Sequence, residues 1–161
     1  MIKIAICDDQ KEYLDTAKNL ITQYGAEKDV PFDITEFSNP SDLLDETVEY
    51  DIYLLDVCMP GITGMSLATE LRAKRIESPI VFLTSYSDYA VQAFGVNATH
   101  YIVKPYTKEE FFNGVDKALA AININSPKTI KLKIEGGYKT ILVYNIVWSE
   151  SNDHYQIISL L

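Results

Sequence analysis

Ile52-Tyr53-Leu54-Leu55-Asp56-Val57-Cys58-Met59-Pro60-Gly61 is a short apolar run that stops on a carboxylate and then falls into a Met-Pro-Gly turn. A run of this length with no charged position reads as a strand covered on both faces. Ile2 to Cys7, Phe32 to Phe37, Ile80 to Thr84 and Tyr101 to Val103 supply four more strand candidates. Between them the apolar period changes to 3.6: Tyr13, Leu14, Ala17, Leu20, Ile21 and Tyr24 share one helix face, and Phe111, Val115, Ala118, Leu119 and Ile122 another. Asn39 before Pro40 marks one helix start, and Thr107 with Glu110 three residues on has capping-box spacing that marks another. Strands alternating with helices predict an α/β fold, a parallel sheet with helices on both faces.

Past Asn123 the helical period gives way to Asn125, Ser126 and Pro127, and then to strict alternation, Ile130, Leu132 and Ile134 separated by Lys131, Lys133 and Glu135. The expected organisation is a domain at 1–122, a linker at 123–128 and a short all-β segment at 129–161. In that segment Gly136-Gly137 is read as a two-residue hairpin turn, with further strands in Tyr138 to Val147 and His154 to Leu160. Residues 126–161 number 36, below the ~40 at which domains without metal or disulfide stop folding alone, and read as the opening of a longer domain cut short. Charge shifts at the same place: 10 basic and 20 acidic residues precede position 126, and 4 basic and 3 acidic follow.

The net charge of −9 opposes nucleic-acid binding. No apolar stretch approaches the ~20 residues that span a bilayer, and Lys3 and Asp8 interrupt any leader-like start, so a cytoplasmic protein without a membrane segment is expected. Cys7 and Cys58 form no CxxC pair, so neither a disulfide framework nor zinc is indicated, and reduced thiols are expected.

Open parallel sheets place their sites at the carboxyl ends of strands. Those ends carry Asp8-Asp9, Asp56, Thr84 and Lys104-Pro105. Three carboxylates against one ammonium leave the cluster net negative, which calls for a cation, and an all-oxygen donor set favours Mg²⁺. Singly, each residue has a plainer account: Asp9 and Glu12 stand at capping-box spacing, Asp56 could serve a turn, Thr84 could end a strand and Lys104 could be a solvated charge. Their joint occurrence at successive strand ends is poorly explained that way. His100 and His154 read as surface residues.

The set Asp8-Asp9, Asp56-Val57-Cys58-Met59-Pro60-Gly61 with Gly64, Thr84-Ser85 and Tyr101-Ile102-Val103-Lys104-Pro105 resembles the response-regulator receiver domains of bacterial two-component signalling, over roughly residues 1–122. The resemblance implies a flavodoxin-like sheet of order 2-1-3-4-5, an order for which a receiver protein is itself a standard example. It implies that Asp56 accepts a phosphoryl group from a histidine kinase, and that Asp8, Asp9, Asp56 and the Cys58 backbone carbonyl serve Mg²⁺. Lys104 and Thr84 would then act on the phosphoryl oxygens, Thr84 and Tyr101 would form a switch, and the Lys104–Pro105 bond would be cis. A homodimer formed on phosphorylation through helix 4, strand 5 and helix 5 is also implied.

Tyr89-Ala90-Val91-Gln92-Ala93-Phe94 with Val96-Asn97-Ala98, and then Ile146-Val147-Trp148-Ser149-Glu150-Ser151 with His154-Tyr155, resemble receivers joined to LytTR-type DNA-binding domains. Trp148-Ser149 departs from the usual tyrosine-isoleucine before the glutamate. DNA contact is therefore expected of a full-length output domain and not of this chain. The alternative is a receiver acting through protein contacts without DNA. An aspartate-nucleophile phosphatase would need an acid where Cys58 stands, and no GxGxxG or Walker loop supports a nucleotide or flavin binder. A switch that assists its own phosphorylation, rather than an enzyme with turnover, is the expectation.

Overall fold

The computed structural model describes residues 1–161 apart from 87, 126–128, 135–136, 143–145, 153–154 and 161, with backbone elements alone over the rest of 123–161. The chain divides into two compact units, Met1–Ile122 and Asn123–Leu161.

In the first unit β1 (Ile2–Cys7), α1 (Lys11–Lys28), β2 (Phe32–Phe37), α2 (Pro40–Leu44), β3 (Ile52–Leu55), α3 (Gly64–Ala73), β4 (Ile80–Thr84), α4 (Ala90–Ala93), a 3₁₀ turn (Phe94–Val96), β5 (His100–Val103) and α5 (Lys108–Asn125) follow in order. The strands form one parallel sheet in the order β2-β1-β3-β4-β5. β5 begins one residue before the expected Tyr101, at His100.

Strand side chains alternate between two faces, and both faces are covered. Ala5, Cys7, Tyr53, Leu55 and Phe82 pack with Leu67, Ala68 and Leu71 of α3 and with Ala93 and Val96. Ile4, Ile6, Ile52, Leu54, Val81, Leu83 and Ile102 meet Leu14, Ala17, Ile21 and Tyr24 of α1 and Phe111, Val115 and Ala118 of α5. Those are the helix faces the 3.6 period picked out, Tyr13, Leu20, Leu119 and Ile122 lying half-buried at their margins. Asn39 caps α2 by accepting from Ser41 N, with Pro40 in the first turn. Thr107 and Glu110 bond reciprocally at the start of α5, as their spacing predicted.

The capping-box spacing of Asp9 and Glu12 is not realised as a cap: Gln10 occupies the N-cap position of α1 without a side-chain cap, and its N donates to Asp8 Oδ1. α5 runs to Asn125, so 123–125 of the expected linker are helical and 126–128 lie outside the described residues. Its apolar stripe ends before its backbone hydrogen bonding does.

In the second unit β6 (Thr129–Ile134) pairs antiparallel with β7 (Gly137–Leu142), and β8 (Ile146–Asn152) with β9 (Tyr155–Leu160). The expected strand Tyr138 to Val147 is thus split between two separate two-stranded sheets. Gly137 pairs with Ile134 and belongs to the ladder rather than to the turn, while Gly136 and His154 lie outside the described residues. Among the described residues no helix is long and apolar enough to cross a membrane.

Candidate functional site

Backbone hydrogen bonding continues just past the strand ends and fixes the direction of the polar side chains there. Asp8 N donates to Phe37 O at 3.1 Å, Asp56 N to Cys7 O at 2.8 Å, and Lys104 N to Thr84 O at 2.7 Å. Asp8, Asp56, Thr84 and Lys104 are all buried at this edge, each at most 6% exposed, while Asp9 is exposed beside them. Burial of four polar side chains in one place is uncommon without mutual satisfaction.

Lys104 Nζ supplies most of that satisfaction, donating to Asp8 Oδ2 at 2.5 Å and to Asp56 Oδ1 at 3.3 Å. Asp56 Oδ2 accepts from Cys58 N at 3.1 Å, and Asp8 Oδ1 from Gln10 N at 3.0 Å. Burial pushes the Asp56 carboxyl above its ordinary range, a trend Lys104 opposes and Asp8 reinforces. The half-buried Cys58 thiol is raised by burial and by Asp56 and Asp9, and both cysteines are free.

Carboxylate oxygens of Asp8, Asp9 and Asp56 lie within 4.8 Å of one another. Three hard oxygen donors with a charge excess over Lys104 fit Mg²⁺, which takes one or two carboxylates and keeps waters. Cys58 touches this cluster through its amide. The Lys104–Pro105 peptide is cis, as expected.

The expected switch residues sit next to this edge. The Thr84 hydroxyl accepts a long bond from Tyr86 N at 3.4 Å. The Tyr101 hydroxyl donates to the Tyr86 carbonyl, and its ring lies 6.1 Å from that of Phe82. Burial pushes the Tyr101 hydroxyl up to about 12. His100, expected at the surface, is instead half-buried against Lys117 Nζ, and burial with that charge lowers its pKa.

Gly64, quoted with the Asp56 turn in the sequence, opens α3 against the Asp56 backbone. A Cβ placed there would stand 1.9 Å from Asp56 O. Two further features escaped the sequence reading. Tyr13, read as an ordinary helix-face residue, lays its ring under Lys104 Nζ at 3.8 Å to the centroid. The Tyr106 hydroxyl is buried with no hydrogen-bond partner among the described residues. A glycine at a helix start is a weak signal of close approach, whereas nothing in the sequence marks the two tyrosines.

A family model described as the response regulator receiver domain matches residues 4–116. The sensory transduction protein LytT of Oceanobacillus iheyensis is 31% identical over 149 residues, covering 88% of this chain and 59% of that protein. The transcriptional regulatory protein LytR of Staphylococcus aureus is 31% identical over 121 residues, 74% of this chain and 48% of that protein. The chain thus spans about half the length of the curated relatives it matches. Among solved structures, the response regulator TrrA of Thermotoga maritima in complex with Mg(2+)-BeF superimposes with a TM-score of 0.64 at 29% identity, covering 73% of this chain and 99% of that one.

Proposed function

The chain belongs to the response regulator receiver family, and from that premise we propose that it is a phosphorylation-dependent switch of a cytoplasmic two-component system, taking a phosphoryl group on Asp56 from a histidine kinase. The observation that carries this reading is the setting of Asp56: buried at the carboxyl edge of a parallel sheet, with Lys104 Nζ at 3.3 Å and Asp8 and Asp9 beside it.

An Asp56 carboxylate oxygen attacks phosphorus. The donor's P–N bond breaks with its electron pair passing to the imidazole nitrogen, and the ring, protonated on its other nitrogen, leaves neutral. Lys104 and the Thr84 hydroxyl donate to the phosphoryl oxygens, so that positioning and charge carry the transfer. Asp8, Asp9, Asp56 and the Cys58 carbonyl would hold Mg²⁺, which when bound neutralises part of the charge on the transferred group. The protein assists this step but takes one group per chain, and acts as a switch.

Thr84 would move towards the new phosphoryl group, and Tyr101 would leave the Tyr86 carbonyl and turn inward. That change would reshape the face of α4, β5 and α5 and favour a homodimer. In the full-length protein residues 129–161 would open a LytTR-type domain that controls transcription, with 1–122 as the receiver. Two hairpins present too little surface for that task, so this chain alone is expected not to bind DNA sequence-selectively.

With Mg²⁺ and acetyl phosphate the intact mass should rise by one phosphoryl group, and Asp56→Asn should abolish the gain. Peptide mapping that finds the group elsewhere overturns the assignment. Chelation of Mg²⁺ should slow transfer strongly, and equal rates with and without it would remove the metal from the reading. Sedimentation with and without a fluoroberyllate mimic tests the dimer, an unchanged mass counting against it. A sequence-selective gel shift by this chain at physiological salt would refute the DNA expectation.

A further inference from the structure

Lys104 carries three N–H donors on a side chain only 2% exposed, so bulk solvent contributes little to its coordination. Two donors are accounted for by Asp8 Oδ2 and Asp56 Oδ1. The third direction is closed by the ring of Tyr13, whose centroid lies 3.8 Å from Nζ, well inside the range of a cation–π contact. Tyr13 is placed there by the site itself: Asp8 Oδ1 holds Gln10 N, and Tyr13 N donates to Gln10 O at 3.1 Å in the first turn of α1.

We propose that Tyr13 is a positioning residue for Lys104, its ring face being the third acceptor of the ammonium and the one that remains in place when Asp56 is phosphorylated. Of the three acceptors it alone is neutral and takes no part in metal binding or bond making. As the two carboxylates exchange partners during transfer, the ring limits Lys104 to a pivot across its face towards the incoming oxygen. The role depends on the ring's negative face, not on the hydroxyl or on volume alone.

This inference rests on the acceptor reading of Asp56, and the test separates the two. The full chain is phosphorylated with acetyl phosphate and Mg²⁺ as wild type, as Tyr13→Phe, as Tyr13→Leu, and with 3,4,5-trifluorophenylalanine in place of Tyr13. Tyr13→Leu should slow the rate about tenfold and Tyr13→Phe should restore it to within about twofold, the scale of a desolvated cation–π contact. The fluorinated ring should be slow like Tyr13→Leu although it keeps the aromatic volume of Tyr13→Phe, which a packing role would not produce. Independently, the ε-methylene protons of Lys104 should be shifted upfield by the ring in the unphosphorylated wild type and lose that shift in Tyr13→Leu. Equal rates for the fluorinated and Tyr13→Phe chains, or unshifted Lys104 protons in the wild type, overturn the proposal. A wild-type chain that gains no phosphoryl mass overturns the acceptor reading and this inference together, whereas one phosphorylated at the same rate whatever the ring overturns the role of Tyr13 alone.

Discussion

After Asp56 the chain turns through Met59-Pro60-Gly61 and enters α3, a ten-residue helix whose Thr63 cap accepts from Ser66 N and whose Gly64 rests on the Asp56 backbone. After Thr84 it enters α4, four residues with no side-chain cap, followed by a 3₁₀ turn, with Val91 and Phe94 each 78% exposed. Both junctions leave a central strand at a buried polar side chain, but the first leads into a capped helix of ten residues and the second into an uncapped helix of four. The longer helix packs directly on the carboxylate's backbone, whereas the shorter one and the turn that follows it carry their large apolar side chains, Val91 and Phe94, in solvent. Amide exchange should accordingly be faster across α4 than across α3.

One side chain joins the two regions. Arg72, near the end of α3, donates to Val96 O at 2.9 Å and Asn97 O at 3.3 Å, and also to Ile76 O and Ser78 O. The segment after Thr84 is therefore tied to α3 at its far end, through the Val96 and Asn97 carbonyls.

The sharpest break of this comparison is Gly64→Ala. A methyl 1.9 Å from a backbone oxygen must displace α3 or Asp56, and we expect a loss of about 3 kcal/mol by urea titration together with slower phosphorylation. Wild-type stability in this variant would show that the first junction is not fixed. Arg72→Met should cost about 2 kcal/mol, since it strands partly buried carbonyls, and should speed exchange at Val96 to Ala98 more than within α3. Exchange rising equally everywhere would deny the tie. Thr63→Ala should lose about 1 kcal/mol through its cap. Gly95→Ala, with open space around it, should be neutral or stabilising by less than about 1 kcal/mol. A large loss there would mean that the second junction is as tightly fitted as the first.

The strands were legible because a strand buried on both faces must be apolar throughout and must stop where a polar site begins: β1, β3 and β4 end at Cys7, Leu55 and Thr84 as read. The start of α1 was not, since spacing alone cannot say whether Asp9 caps the helix, and in the fold Gln10 takes the N-cap position without a side-chain bond. The shortness of α4 was equally hidden, its sequence running on apolar through Phe94 and Val96. The residues of the candidate site were legible by position at strand ends, where the fold brings Asp8, Asp9, Asp56 and Lys104 together. Tyr13 was not, because its place one helical turn past the acid pair looks like any half-buried face position, and only the fold brings Lys104 over it.

The pairing of Asp8 with Lys104 also orders events as the chain is made. Asp8, Asp9 and Asp56 leave the ribosome long before Lys104, and a contact across 96 residues closes a large loop before it returns any attraction. Until β5 adds to the edge of the sheet, any nascent form holds its acidic residues without their ammonium. The buried acidic edge is therefore complete only when the last strand of the parallel sheet has docked and brought Lys104 to it.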